Sequence, residues 1–248
     1  IETLQFSDQS TMNNVDIKVM TIKYYGTAGN DYINIPNSAS ISKTTIDTGA
    51  GDDAINSYGS EDIIDGGDGN DTINSGTGND TITGGKDNDI LNGGDGNDTY
   101  IFNAGDGKDI INDVQYPATA VSQDKIIFGI GITKDNLIFN GSGNDLIIKF
   151  NNNADDQITI KSYFDSSYNT IETLQFSDQS TMNNADIKAM AINYYGTAGN
   201  DSISIPNSAS ISKTTINAGA GDDTVYSYKS DDTITGGKDN DILNGGDG

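Results

Sequence analysis

Residues Thr48 to Ile101 divide, without insertion or deletion, into six units of nine: TGAGDDAIN, SYGSEDIID, GGDGNDTIN, SGTGNDTIT, GGKDNDILN and GGDGNDTYI. A fixed short period constrains the fold more than composition does, because every unit must do the same thing in space. The sixth position is always Asp (Asp53, Asp62, Asp71, Asp80, Asp89, Asp98), and the eighth is Ile55, Ile64, Ile73, Ile82, Leu91 or Tyr100. The first six residues are mostly Gly, Asp and Asn, the types that accept positive φ and tight turning. The last three carry one inward apolar residue and read as a short strand. One unit therefore makes half a coil and two units a full one. Successive coils stack about 4.8 Å apart, so each unit lies over the next but one. The Asp side chains then form two columns, Asp53/Asp71/Asp89 and Asp62/Asp80/Asp98.

Carboxylates stacked at that spacing repel one another. The chain carries 37 acidic and 13 basic residues, a net charge of −24; all the acids except Glu2, Glu61 and Glu172 are Asp, and every base is Lys. Lys86 is the one cation inside the six units, with Lys43 and Lys108 flanking them, so side-chain pairing does not neutralise the columns. Carboxylate and carbonyl oxygens converging from flexible turns suit Ca²⁺, which takes six to eight oxygen ligands; Mg²⁺ demands a smaller, stricter octahedron. With no Cys and no His in the chain, zinc and copper are poor candidates.

The units resemble the GGxGxDxUx nonapeptide of the repeats-in-toxin (RTX) proteins, also called haemolysin-type calcium-binding repeats, and Gly66 to Asn74 fits at every fixed position. The resemblance implies an all-β fold, a parallel β-roll (a calcium-bound β-solenoid), with ions between turns two units apart. Carried onto this chain, it places ions between Asp53 and Asp71, Asp71 and Asp89, Asp62 and Asp80, and Asp80 and Asp98. Outside the six units it assigns ligand positions to Asp31, Asp109, Asp201, Asp223, Asp232 and Asp241. Turn carbonyls are expected from Gly49, Gly51, Gly67, Gly69, Gly76, Gly78, Gly85, Gly94, Gly96, Gly105, Gly107, Gly219, Gly221 and Gly237. Asp87 and Asp239 stand in the place of the fourth-position Gly, and Asp tolerates the left-handed region better than most residues. Ser57 and Tyr58 depart from the pattern by replacing both leading glycines.

Residues 171–248 repeat residues 1–78 at an offset of 170, with 57 of 78 positions identical. The chain reads as a fragment of a tandem array in four parts: 1–25, the end of a spacer with a strand and a short helix; 26–112, a first roll block; 113–195, a strand-rich spacer with a short helix; and 196–248, a second, truncated roll block. Met12, Val15, Val19 and Ile22 fall at helical spacing, so a helix is predicted over 11–22 with Ser10 or Thr11 as N-cap. Gly26–Asn34 is a first nonapeptide, Ile35-Pro36-Asn37-Ser38 shifts the phase, and Ala39–Asp47 keeps inward Ile46 but has Thr44 in the Asp position, a coil turn without metal. A two-residue insertion precedes Gly105–Asp109. Residues 113–124 read as an irregular loop with a local turn at Tyr116-Pro117. Lys125–Ile130, Asn136–Asn140, Asp145–Phe150 and Gln157–Lys161 are predicted strands, in a stretch that resembles the haemolysin-type calcium-binding related module; Gly141–Asp145 reads as a hairpin turn. Tyr24, Tyr25, Tyr194 and Tyr195 are expected to pack at the roll ends.

Without His or Cys there is no Ser-His-Asp, Cys-His or HExxH chemistry, and GGKDND is not a P-loop. The pairs Asp52-Asp53, Asp155-Asp156 and Asp222-Asp223 lie in turns or an Asn-rich loop, unlike the acid/base pair of a glycosidase. No enzymatic activity is expected of this stretch. The charge speaks against nucleic acid, and no apolar run is long enough to enter a membrane. The resemblance implies type I secretion, an extracellular or cell-surface location, and calcium as the partner that folds the chain, with any host or cell-surface partner unidentified. Two functions follow: a calcium-folded structural segment of a large adhesin or surface-layer protein, or the secretion and folding module of an RTX enzyme or cytolysin whose active part lies elsewhere. The long period favours the first.

Overall fold

A computed structural model describes residues 3–5, 11–13, 21–35, 43–114, 122–165, 171–206 and 211–247. The nonapeptides coil as their period requires. Alternate units pair as parallel strands, so Ile55 lies beside Ile73 and Ile73 beside Leu91 in one sheet, and Ile64 beside Ile82 and Ile82 beside Tyr100 in the other. These eighth-position side chains are at most 2 % exposed and form the core between the two sheets. The fold is all-β, a parallel β-solenoid. Its strands run past the three residues expected of them: Glu61–Asp68 and Thr72–Thr77 continue into the following turns. No helix among the described residues is long and apolar enough to cross a membrane.

One sheet of the roll runs on through the spacer, while the other ends within it at Thr181–Asn183. Asp124–Phe128 pairs in parallel with Thr99–Phe102, and Ile171–Gln175 follows it; in the other sheet Asn153–Ile160 pairs in parallel with Lys108–Ile111. Within the spacer Asp145–Phe150 pairs antiparallel with Asn153–Ile160 and with Leu137–Ser142, the latter a hairpin turning at Gly143-Asn144, and Ile171–Gln175 pairs antiparallel with Thr181–Asn183. From there Leu137–Ser142 meets Ala191–Tyr195 in parallel through Asn140 and Asn193, and the same sheet runs on through Lys213–Ala220 to Asp231–Lys238. Four phenylalanines fill the spacer end of the core. Phe102 stacks on Phe150 at 5.4 Å and Phe128 on Phe176 at 5.4 Å, with Phe128 edge-on to Phe150; such pairs add to the burial of apolar area.

Three expectations need correction. The helix predicted over 11–22 is replaced at both ends by strand: Thr11–Asn13 pairs with Thr3–Gln5, and Ile22 opens Ile22–Tyr25, while residues 14–20 lie outside the described part. In the second copy the helix spans only Asn184–Ala189, because Asn183 caps it, accepting from the N–H groups of Ala185 and Asp186. The tyrosines expected to pack at the roll ends alternate in and out along their strands, Ile22–Tyr25 and Ala191–Tyr195. Tyr194 is buried and Tyr24 packs on the core, but Tyr25 and Tyr195 are 68 % and 65 % exposed. The predicted loop at 113–124 ends at Asp124, which begins a strand; residues 115–121, with Tyr116-Pro117, and most of the phase-shifting insertion after Ile35 lie outside the described residues.

Candidate metal centres

Each sixth-position Asp sits at the start of a strand, where the chain turns inward. This places its carboxylate inside the turn instead of in solvent: Asp53, Asp62, Asp71, Asp80, Asp89 and Asp98 are at most 2 % exposed. One oxygen is tied to the neighbouring coil. The Asp53 N–H donates to Asp71 Oδ1 at 2.8 Å, Asp71 N–H to Asp89 Oδ1 at 2.8 Å, Asp62 N–H to Asp80 Oδ1 at 2.8 Å and Asp80 N–H to Asp98 Oδ1 at 2.8 Å. The columns expected from the period are therefore continuous ladders. The first reaches Asp31 at one end and Asp109 at the other, through Asp31 N–H to Asp53 Oδ1 and Asp89 N–H to Asp109 Oδ1. In the second block Asp201 N–H donates to Asp223 Oδ1 and Asp223 N–H to Asp241 Oδ1.

The other oxygen is left over. Oδ2 of Asp53, Asp62, Asp71, Asp80, Asp89, Asp98 and Asp223 is buried without a hydrogen-bond partner in the protein. Buried polar atoms are nearly always partnered, and an unpaired buried charge is costly. Burial pushes Asp71 and Asp80 up to about 6, Asp89 up to about 7, and Asp98 and Asp109 up to about 8; the backbone N–H on each Oδ1 opposes the rise and neighbouring carboxylates add to it. Among the described residues no lysine forms an ion pair with these carboxylates: Lys86 pairs with Asp68 on the outer face of the roll and Lys161 with Asp145.

These oxygens pass a fit test for a hard cation. They are buried, anionic and repeated along the stack, and the space beside them is kept by glycine: a Cβ on Gly66 would lie 2.3 Å from Asp71 Oδ2, and one on Gly84 2.2 Å from Asp89 Oδ2. The turn glycines from Gly49 to Gly107 and from Gly219 to Gly237 that were expected to supply carbonyls all have positive φ, as do Asp87 (φ 82) and Asp239 (φ 77) in the glycine place. The turn at Ser57-Tyr58 forms despite its departure. Tyr58 adopts φ 63, and Thr77 and Ser60 bond across the coils as their neighbours do.

Not every expected ligand keeps an open oxygen. Asp31 Oδ2 accepts the N–H and hydroxyl of Thr27, and Asp201 Oδ2 those of Thr197. Asp232 accepts the hydroxyls of Thr214, Ser227 and Ser230, so both its oxygens are engaged. Asp87 and Asp239 contribute turn backbone and have exposed side chains. Gly105 and Gly107 direct their N–H groups to Asp156.

Periodicity passed over Asp113 and Asp124, both buried with an unpartnered Oδ2. Asp124 continues the second ladder, accepting from Asp98 N–H at 2.7 Å, and its own N–H reaches Glu172 Oε2 at 2.7 Å. A faint signal existed. Asp124-x-Ile126 and Glu172-x-Leu174 keep the acid-x-apolar spacing of the sixth and eighth positions after the glycines are gone. The fifth position also has a structural role: Asp52, Asn70 and Asn88 form an outer ladder of side-chain to backbone bonds.

Comparison with known proteins agrees with this geometry. Residues 43–73, 65–100 and 217–248 match the RTX calcium-binding nonapeptide repeat (4 copies), and residues 145–186 match the haemolysin-type calcium binding protein related domain. The chain is also similar to the iron-regulated protein FrpA of Neisseria meningitidis serogroup C, 34 % identical over 127 residues, which is 50 % of this chain and 11 % of that protein.

Proposed function

On the premise that this chain carries RTX calcium-binding nonapeptide repeats and a haemolysin-type related domain, we propose that it is a calcium-folded structural segment of a large secreted or surface protein of the adhesin or surface-layer type. The observation that carries the reading is the run of buried Asp Oδ2 atoms without a protein partner. Bound calcium supplies positive charge and oxygen-coordination positions. The chain's part is to hold Asp53, Asp71, Asp89 and Asp109 in one ladder and Asp62, Asp80 and Asp98 in the other, each fixed by a backbone N–H on Oδ1 except Asp62, whose Oδ1 accepts the Ser60 hydroxyl. Turn carbonyls from the positive-φ glycines complete the sites.

A switch follows from the charge. With little calcium, a chain of net charge −24 resists the stacking of its own carboxylates and stays open for export by a type I system. At millimolar calcium outside the cell, binding energy becomes folding energy. The sheet that runs from the first block through the spacer into the second favours a stiff rod over a roll that merely assists an adjoining enzyme.

Far-UV circular dichroism of chelator-treated protein, titrated with Ca²⁺ and separately with Mg²⁺ at equal ionic strength, tests the reading. The expected result is a cooperative coil-to-β transition with calcium alone. A spectrum already β-rich in chelator and unmoved by calcium sinks the switch.

A further inference from the structure

We propose that Asp113 and Asp124, with Ser122, join the sixth-position Asp98 in a divalent-cation site that the nonapeptide pattern alone does not supply, and that this site fastens the spacer to the roll. The inference rests on the calcium reading of the ladders and extends it to residues that no repeat supplies. One carboxylate oxygen from each Asp lies within 4.8 Å of the other two. The three residues are 0 %, 6 % and 0 % exposed and Ser122 4 %; among the described residues no protein group meets hydrogen-bond geometry with the Oδ2 of any of the three Asp or with Ser122 Oγ, and the hydroxyls nearest are Tyr100 beside Asp113 and Ser122 beside Asp124.

The remaining oxygens show that the cluster is built. Asp98 Oδ1 accepts from Asp80 N–H at 2.8 Å, Asp113 Oδ1 from Gly94 N–H at 2.9 Å, and Asp124 Oδ1 from Asp98 N–H at 2.7 Å. Three backbone donors, Asp80 on one nonapeptide and Gly94 and Asp98 on another, thus hold three carboxylates with their second oxygens free to converge. Both ion pairs among the described residues lie elsewhere, at Lys86–Asp68 and Lys161–Asp145. Oxygen-only donors, three negative charges and a buried hydroxyl suit a hard divalent cation of the calcium class.

The site's position gives it a role. Asp98 is the sixth-position Asp of the last of the six nonapeptides, Asp113 lies just past the strand Lys108–Ile111, and Asp124 opens the strand carrying Phe128 into the aromatic cluster. An ion shared by all three ties the folding of the spacer to the calcium state of the roll.

Native mass spectrometry of the calcium-loaded full chain tests this by counting ions. Asp113→Asn is expected to carry one calcium fewer than wild type, while Asp71→Asn, in the other ladder, loses calcium independently of it. An unchanged count in Asp113→Asn, with calcium retained in wild type, overturns the junction site and leaves the ladders standing. A wild type that carries no calcium overturns both. Should Asp113→Asn not fold, crystals of the wild-type chain grown with Tb³⁺ decide. An anomalous peak between Asp98, Asp113 and Asp124 supports the site, and peaks confined to the nonapeptide turns overturn it.

Discussion

Replacing Asp71 by Asn separates a carboxylate that is there for an ion from one that is there for a hydrogen bond. The amide oxygen can still accept the Asp53 N–H, which lies 2.8 Å from Asp71 Oδ1. What disappears is the charge at the unpartnered Oδ2. In the ion-free roll that charge is a burden. Burial lifts Asp71 from 3.8 to about 6, a preference for the neutral form on the order of 3 kcal/mol. The new amide nitrogen is itself a buried donor without a partner and costs about 1–3 kcal/mol. The variant is therefore expected to range from equal to wild type to ~2 kcal/mol more stable in chelator. With calcium the sign reverses. Asp71 lies between two proposed ion positions, and a tenfold loss of affinity at each is about 1.4 kcal/mol, together ~3 kcal/mol, which set against the gain in chelator leaves the variant ~1–3 kcal/mol less stable than wild type. Urea unfolding followed by circular dichroism at pH 7.5, from calcium concentrations that just fold the roll up to saturation, reads the calcium end, and the β content left in chelator reads the other. The rise of stability with the logarithm of calcium reports the ions taken up on folding, so the variant's rise should begin at higher calcium and its line cross that of wild type. Equal destabilisation with and without calcium would refute the argument and leave Asp71 a hydrogen-bond acceptor only.

Four further outcomes are expected. Ile73→Ala removes a core side chain that is 1 % exposed and should cost about 2–5 kcal/mol at every calcium concentration, shifting the urea midpoint without changing the calcium slope. Gly67→Ala puts a Cβ 1.9 Å from the Gly49 carbonyl oxygen at φ +105, and should cost more than ~2 kcal/mol, seen as a lower melting temperature in saturating calcium. In chelator the roll should be most stable in acid. The folded-state values of about 6 to 8 for Asp71, Asp80, Asp89, Asp98 and Asp109 exceed the unfolded value of about 4. The folded chain binds more protons, so stability is full below pH ~4 and is lost as pH rises through the folded values; circular dichroism from pH 4 to 9 checks the direction. Apparent calcium affinity should rise over the same window, since ions displace those protons, and calorimetric titrations at pH 6 and 8 would expose a contrary trend.

The coil was legible in the sequence because its determinants are local. Gly, Asp and Asn in the first six places of a unit turn the chain; an apolar residue in the eighth place must go inside, so nine residues make half a coil and Asp53, Asp71 and Asp89 must align. The cation class followed from the same residues, since a stack of carboxylates without nearby lysines, His or Cys leaves few chemistries open. The short helix was misplaced because its apolar spacing also suits strands: Met182 is buried from a strand, and it is Asn183 that starts the helix. What only the tertiary structure decided is where the ladders stop and what joins them. Hydrogen bonds between coils depend on which strand lies next in space, and a connection can add residues without changing that neighbour. Asp98 therefore finds Asp124 at a separation of 26 residues as readily as Asp80 finds Asp98 at 18. Once the connections differ in length the period vanishes from the sequence, while the ladder, held by backbone N–H groups and carboxylates, continues through the spacer.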